Sequence, residues 1–207
     1  MKEIHAFLGD FYHEPDYLLG ALQKSVAVLG ADLTLVNNEL SEIGAVLDQN
    51  PAVILIAREN RLNPEAETVE NWLTPELDGE LEAYVKSGGR LVAVHAGMAS
   101  YPADSAYRNL LKGHFVHHPN DHVQVRYQSA DFDYAVLDEH YFVAVDEADT
   151  DVFMRSHSEY GTQNAGWRHR VGDGKVICIV PTHNPEGFQH SETVRLLAET
   201  LKWALED

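Results

Sequence analysis

The sequence predicts an α/β fold with a mostly parallel central sheet and antiparallel strands added in its second half. In the first half, short apolar runs alternate with amphipathic helical segments, which is typical of parallel strands that helices cover on both faces. From about His122 to Val171 the chain instead alternates apolar and polar residues, in pieces such as HVQVRY and DVFMRSH. A period of two residues is typical of antiparallel strands.

The predicted elements of the parallel part follow one another along the chain. The strands are predicted at residues 3–8, 33–36, 52–57, 90–95 and 176–180. The helices are predicted at residues 16–29, within TPELDGELEAYVKSGG, at residues 105–111 and at residues 192–205. The second of these helices has Thr74 as its N-cap and Pro75 in its first turn, and glycines end it.

The composition indicates one acidic globular domain over residues 1–207. Hydrophobic residues make up 44% of the chain, which is enough for a continuous core. Asp and Glu number 33 against 15 Lys and Arg, so the formal net charge is −18. Such a surface repels nucleic-acid phosphates and anionic lipid headgroups, and we expect neither a nucleic-acid nor a membrane partner. The expected ligand is a neutral or cationic small molecule, or a metal ion.

The single cysteine and the N-terminal residues indicate the cellular compartment. Cys178 lies inside the apolar run KVICIV, so no disulfide can form within the chain and the thiol is expected to be buried and inert. The N-terminus MKEIHAFLGD is too polar for a signal sequence, and no apolar run approaches the roughly 18 residues of a membrane span. We therefore predict a cytoplasmic protein.

Two histidines are predicted at the carboxyl ends of strands. His95 ends the strand RLVAVH, and His183 follows the strand that contains Cys178. Ligands of open parallel sheets bind beyond the carboxyl ends of the strands, so His95 and His183 face one crevice if these strands are neighbours. The alternative is that each is a polar loop residue whose ring is satisfied by the backbone.

Two further segments carry candidate ligands and proton carriers. GHFVHHP contains three histidines, of which His118 is the better candidate metal ligand and the other two are expected at the surface. LDEHYF contains Glu139, which can act as a base, as a metal ligand or as part of a charged turn. The segment WRHRVGDGK predicts a hairpin with Trp167 and His169 on one face; Trp167 is interpreted as a core residue or as a platform for a sugar ring.

The motifs of the second half together resemble the ThuA-like, or trehalose-utilisation, family. WLTPELDGELEAYVKSGGRLVAVHAG, GHFVHHP, DEHYFV and WRHRVGDGKVICIVPTHNPEGF resemble that family in order and spacing, from about Trp72 to the final helix. The resemblance implies a single ThuA-like domain with a flavodoxin-like, class I glutamine amidotransferase-like three-layer sandwich. The recurrent positions of the family correspond to His95, His118, Glu139, His169 and His183.

The resemblance also implies a class of chemistry. Amidotransferases of this fold carry a nucleophilic cysteine in the turn after the fourth strand, where this sequence reads VHAGM. Glutamine hydrolysis by a cysteine nucleophile is therefore excluded at this turn. The implied function is processing of a disaccharide or keto-sugar by acid–base chemistry, with or without zinc or another divalent metal, and with no nucleotide cofactor.

The resemblance and the motifs together assign candidate residues to roles. The predicted catalytic residues are His95, Glu139 and His183; the predicted metal ligands are His95, His118 and His183; and the predicted substrate-binding residues are Tyr101, Trp167 and His169. The alternative function is a non-catalytic sugar-binding or regulatory protein on the same fold. A hydrolase with Ser100 or Ser158 as nucleophile is disfavoured because no G-x-S-x-G motif is present. A homodimer is expected because symmetric dimers are the commonest assemblies.

Overall fold

A nine-stranded mixed sheet organises the molecule, which a computed structural model describes over residues 2–206. The strands are β1 (Lys2–Leu8), β2 (Leu33–Asn37), β3 (Val53–Ala57), β4 (Arg90–Val94), β5 (Gly113–His117), β6 (Val123–Ser129), β7 (Asp133–Asp138), β8 (Phe142–Val145), β9 (Asp151–Ser158), β10 (Gly161–Val171) and β11 (Gly174–Ile179). The helices are α1 (Pro15–Leu29), α2 (Ile43–Asp48), α3 (Pro75–Lys86), α4 (Ala106–Leu111), α5 (Pro185–Gln189) and α6 (Ser191–Leu205).

The parallel part of the sheet has the order β2-β1-β3-β4-β11. Every residue of β3 and β11 is buried, and so are four of the five residues of β4, which explains why these strands are continuous apolar runs in the sequence. The predicted strands of the first half are therefore confirmed. Residues Val94 and Ile179 pair directly, so the loops after β4 and β11 start side by side.

The antiparallel part extends the sheet from β11 in the order β10-β9-β6-β7. The burial of β6 and β7 alternates along each strand, as the period of two residues predicts. Strands β5 and β8 form a separate two-stranded sheet. The mixed α/β class is thus confirmed, while its description as a three-layer sandwich and the single domain over residues 1–207 stay predictions.

Four helices, α1, α3, α4 and α6, begin within one residue of their predicted starts, whereas α2 and α5 were not predicted. In α3 the hydroxyl of Thr74 accepts the backbone N–H of Leu77 at 3.3 Å, and Pro75 occupies the first turn, where no intrahelical donor is needed. Helix α6 packs against α1, and the buried Ser25 of α1 donates a hydrogen bond to the carbonyl of Val194 at 2.8 Å. Over residues 2–206, no helix is both long and apolar enough to cross a membrane.

Candidate metal centre and cavity

His95 lies in a tight turn directly after β4. Its φ is +48°, a left-handed conformation that costs free energy for a residue with a side chain and that is enriched at functional sites. The turn fits closely against β3, because a Cβ at Gly97 would overlap the carbonyl oxygen of Ile56. The Nδ1 of His95 donates to the carbonyl of Val180 at 2.8 Å. This contact fixes the tautomer with the proton on Nδ1 and leaves a free lone pair on Nε2.

A second imidazole, that of His13, is fixed in the same way between β1 and α1. Its Nδ1 donates to Oδ1 of Asp10 at 2.6 Å, and Nε2 again carries the lone pair. Asp10 also accepts the backbone N–H groups of Tyr12 at 2.9 Å and of Glu59 at 2.8 Å. Burial raises the pKa of Asp10, but its hydrogen bonds, that of His13 foremost, outweigh this and leave the pKa below its ordinary value.

A buried carboxylate connects Glu139 to His183. Asp138 is fully buried; its Oδ1 accepts the backbone N–H of Glu139 at 3.0 Å and that of His183 at 2.8 Å. Its Oδ2 accepts the hydroxyl of Tyr127 at 2.7 Å. The end of β7 and the loop after β11 are thereby held together, although 45 residues separate Asp138 from His183 along the chain.

A cluster of four side chains could hold one metal ion: His13, His95, Glu139 and His183. One ligand atom from each lies within 4.8 Å of all the others. Three buried imidazole nitrogens, Nε2 of His13, Nε2 of His95 and Nδ1 of His183, have no hydrogen-bond partner among residues 2–206. The nearest oxygen of Glu139 is 3.5 Å from His95 and 3.5 Å from His183. Three unpaired imidazole nitrogens and one carboxylate fit the ligand set of zinc or a similar divalent metal.

The protonation states at this cluster suit a cation. Burial raises the pKa of Glu139, but the neighbouring imidazoles, that of His95 foremost and then those of His183 and His118, lower it from its ordinary value to about 2. Burial, together with the nearby imidazole of His95, lowers the pKa of His183 to about 4. At neutral pH Glu139 is therefore ionised and the ring of His183 is neutral, which are the forms that bind a metal.

Two more imidazoles lie on the outer side of Glu139. Nε2 of His118 is 3.6 Å and Nε2 of His122 is 3.7 Å from Oε1 of Glu139, the oxygen that faces away from His95 and His183. Their side chains are 32% and 38% exposed, against 10% for Glu139. They therefore connect the buried carboxylate to solvent.

A cavity of about 480 Å³ opens onto the cluster. Its lining is Tyr12, His13, Glu59, Arg61, Ala99, Ser100, Phe115, His118, Glu139, Tyr141 and His183. The ring of Tyr141 stacks on His95 with centroids 4.0 Å apart and lies 4.4 Å from Phe115. The cavity thus combines aromatic walls, a candidate metal centre and a second polar group around Glu59.

A larger groove, about 650 Å³, lies between α6 and the antiparallel strands. It includes Phe153, Arg168 and Trp203, with the guanidinium of Arg168 over both rings. None of the residues that line it belongs to the four-residue cluster. We therefore assign the candidate site to the smaller cavity.

The profile of the trehalose-utilisation (ThuA) family matches residues 11–204 of the sequence. The chain belongs to the ThuA family. The match covers all four residues of the cluster and the cavity around it. None of the curated proteins matches the sequence.

Solved structures share the fold of this ThuA-family chain at low sequence identity. A ThuA-like protein of Parabacteroides merdae has a TM-score of 0.72 and 13% identity, over 99% of this chain and 90% of its own. A cytoplasmic protein of Salmonella typhimurium has a TM-score of 0.66 and 13% identity, over 99% of both chains. Gan42B, a GH42 β-galactosidase of G. stearothermophilus, has a TM-score of 0.64 and 11% identity over 98% of this chain. The ThuA-family chain spans only 30% of that β-galactosidase.

The three residues that the sequence predicts as catalytic lie together in the ThuA-family structure. His95, Glu139 and His183 all belong to the cluster. His118, the third predicted metal ligand, lies outside the four-residue group and contacts the other oxygen of Glu139. Ser100 donates its hydroxyl to Glu59, and Ser158 is bonded to Nδ1 of His140 at 2.7 Å outside the cavity lining.

The residues that the sequence predicts as substrate-binding do not line this cavity. Tyr101 is buried and donates its hydroxyl to the carbonyl of Arg58 at 2.8 Å. Trp167 is fully buried and donates Nε1 to the carbonyl of Leu111 at 2.8 Å, while Nε2 of His169 donates to that of Leu110 at 2.8 Å. None of the three lines the cavity. Trp167 and His169 instead satisfy carbonyls at the end of α4, which have no partner within the helix.

Two site residues, His13 and His122, were not predicted. His13 lies in GDFYHEPD directly after β1, so the rule that ligands bind beyond the carboxyl ends of parallel strands would have selected it. His122 lies before β6, and its place near Glu139 depends on the path of the antiparallel strands. No local signal in the sequence marks it.

Proposed function

We propose that this ThuA-family chain is a carbohydrate-processing protein that acts on a disaccharide or keto-sugar by acid–base chemistry at a divalent metal centre. The convergence of three unpaired imidazole nitrogens and Glu139 at the wall of the cavity carries the proposal. The aromatic rings of Tyr12, Phe115 and Tyr141 support a sugar ligand, because aromatic rings stack on the apolar faces of sugar rings.

His13, His95, Glu139 and His183 would hold the metal, and zinc fits this donor set best. A bound divalent ion would polarise a carbonyl oxygen or lower the pKa of a coordinated water. The hydrogen bonds from His13 to Asp10 and from His95 to Val180 orient the two rings.

The proton-transfer role falls to the outer imidazoles. His118 lines the cavity, lies beside Oε1 of Glu139 and is partly exposed, so it can take a proton from the substrate and pass it to solvent. His122 lies beside the same oxygen and is also partly exposed. Glu139 stays ionised and orients them. A keto-sugar suits this arrangement because its carbonyl makes the neighbouring C–H acidic enough for a protein base.

The alternative is a sugar-binding protein without catalysis, and the aromatic walls of the cavity favour it equally. A Glu139→Gln variant separates the two functions, because it keeps the shape of the side chain and removes the charge. A catalyst loses turnover of its sugar by a factor of about 100 or more, whereas a binder loses affinity only modestly.

The metal is tested by elemental analysis of purified, untagged protein by plasma mass spectrometry. We expect near-stoichiometric zinc or another divalent metal in the parent and in His117→Ala, a control whose exposed ring stacks on Phe142 instead of entering the cluster. We expect the metal to be lost from His13→Ala and His95→Ala. A parent protein that binds no divalent metal even after incubation with added ions would contradict the metal-dependent mechanism.

The remaining expectations are retained as proposals. They are a cytoplasmic location, a homodimer and the lack of a nucleotide cofactor. The strongly acidic composition supports a ligand without phosphate groups, because 33 acidic residues face 15 basic ones.

A further inference from the structure

The cavity has a second polar group, formed by Glu59, Arg61 and Ser100, that the metal centre does not use. All three residues line the cavity. Glu59 is only 2% exposed, and its Oε2 accepts Nε of Arg61 at 2.8 Å and the hydroxyl of Ser100 at 2.7 Å. Its other oxygen, Oε1, is buried and has no hydrogen-bond partner within residues 2–206.

An unpaired buried carboxylate oxygen is costly, and folded proteins seldom keep one without a function. Hydrogen bonds of the main chain hold Glu59 in place. The carbonyl oxygen of Glu59 accepts Nε1–H of Trp72 at 3.1 Å, and the backbone N–H of Glu59 donates to the side chain of Asp10 at 2.8 Å. The next residue, Asn60, is fully buried and bonds to the backbone of Leu73 and of Ser100. The backbone of Glu59 is therefore held firmly at the wall of the cavity.

The backbone at Ser100 supports a binding role. Its φ is +65°, a left-handed conformation that is unfavourable for serine and that places the hydroxyl on Glu59. After donating to Glu59, the oxygen of Ser100 still has lone pairs that can accept a hydrogen bond. The Nη1 donors of Arg61 are also available, since Nε and Nη2 are the atoms that contact Glu59.

Glu59 and Arg61 carry opposite charges that cancel each other. The carboxylate of Glu59 and the guanidinium of Arg61 form an ion pair at 2.7 Å. The pair has one acceptor without a donor among residues 2–206, Oε1 of Glu59, and one set of donors that does not contact Glu59, Nη1 of Arg61, with no net charge. Two neighbouring hydroxyls of a sugar match this pattern, because one can donate to the carboxylate while the other accepts from the guanidinium. A phosphate does not match it, since the arginine is already neutralised and the carboxylate repels an anion.

We propose that Glu59, Arg61 and Ser100 form a hydroxyl-recognition subsite that binds a vicinal diol of a neutral, unphosphorylated sugar. The inference rests on the proposed sugar-processing function and specifies its substrate class. Asp10 links the two ends of the cavity, because it contacts the backbone of Glu59 and the ring of His13. The subsite thus holds one part of the sugar while another part faces the metal centre.

Titration calorimetry with trehalose and trehalose 6-phosphate tests the subsite on the purified protein with its metal. We expect the parent to bind trehalose more tightly than its phosphate. Glu59→Gln should weaken trehalose binding about tenfold or more, since a hydrogen bond to a charged group is lost. It should also shift the preference toward the phosphate, because Arg61 is then unpaired. Glu67→Gln, which removes the same charge from an exposed position, should bind as the parent does.

Ser100→Ala is a second variant, which keeps the Glu59–Arg61 ion pair and so tests the subsite even if Glu59→Gln does not fold. It should weaken trehalose binding severalfold while metal content and melting temperature stay unchanged. Trehalose binding that is unaffected in both variants would overturn the subsite and leave the proposed function standing. Tighter binding of the phosphate by the parent would overturn the preference for a neutral sugar. A parent that binds neither disaccharide would remove the proposed disaccharide function and the subsite together.

Discussion

Asp10 joins His13 to Glu59, and so joins the candidate metal centre to the second polar group of the cavity. Its Oδ1 accepts Nδ1–H of His13 at 2.6 Å, and its Oδ2 accepts the backbone N–H of Glu59 at 2.8 Å. The carboxylate is itself outside the four-residue cluster. Its effect on a metal is indirect, because it fixes the tautomer and the orientation of an imidazole ligand and makes that ligand more basic.

We therefore expect Asp10→Asn to weaken metal binding by about 10- to 100-fold, the usual effect of removing such a partner. The measurement is a competition titration with a chromophoric zinc chelator. Asp16→Asn, an exposed change in the first turn of α1, is the matched control and should leave the affinity unchanged. An Asp10→Asn protein with the affinity of the parent would mean that His13 is not a ligand.

Tyr127 contributes stability through a buried charge. Its hydroxyl donates to Oδ2 of Asp138 at 2.7 Å, and both side chains are fully buried. Tyr127→Phe leaves that oxygen unsatisfied, so we expect the free energy of unfolding to fall by about 1.5–3 kcal/mol. Urea denaturation measures it, with the exposed Tyr17→Phe as control, for which we expect no change beyond about 0.5 kcal/mol. A loss as small as that of the control would show that Asp138 finds another donor.

Gly97 is required by the close approach of the His95 turn to β3. A Cβ at this position would overlap the carbonyl oxygen of Ile56, which belongs to a buried strand and cannot move cheaply. We expect Gly97→Ala to lower the free energy of unfolding by about 1–3 kcal/mol and to reduce the metal content, since His95 must shift.

Gly79→Ala is the control for that change. Gly79 lies within α3, and a Cβ there meets nothing within 4 Å. Alanine favours a helix over glycine by about 1 kcal/mol, so this variant should be more stable than the parent with the same metal content. If both variants behaved alike, the tight packing of the His95 turn would have no energetic consequence.

The sequence allowed the parallel part of the fold and three of the four cluster residues to be predicted, two of them for a physical reason. Strands β3, β4 and β11 are buried on both faces, so each can be recognised in the sequence as a continuous apolar run. Because these strands are parallel, the residues that follow them lie at the same edge of the sheet. His95 and His183 were found in this way. Glu139 was selected as a carboxylate beside an imidazole and through the family resemblance.

The rest depended on long-range contacts that no local pattern encodes. Asp138 brings Glu139 to His183 across 45 residues, and His122 reaches Glu139 only because of how the antiparallel strands are arranged. Trp167 and His169 look like ligand-binding residues in the sequence, since an aromatic ring and an imidazole stand close together. Their partners are the carbonyls of Leu111 and Leu110, which only the packed position of α4 reveals.

We expect the thiol of Cys178 to be unreactive in the folded protein. Its side chain is fully buried in β11, where burial raises the pKa of the thiol well above its ordinary value, so almost no thiolate forms at neutral pH. We expect no reaction with Ellman's reagent under native conditions and one thiol per chain after unfolding in guanidinium chloride. Rapid reaction of the native protein would mean that β11 opens, and that the neighbouring loop carrying His183 is less firmly held than its bond to Asp138 indicates.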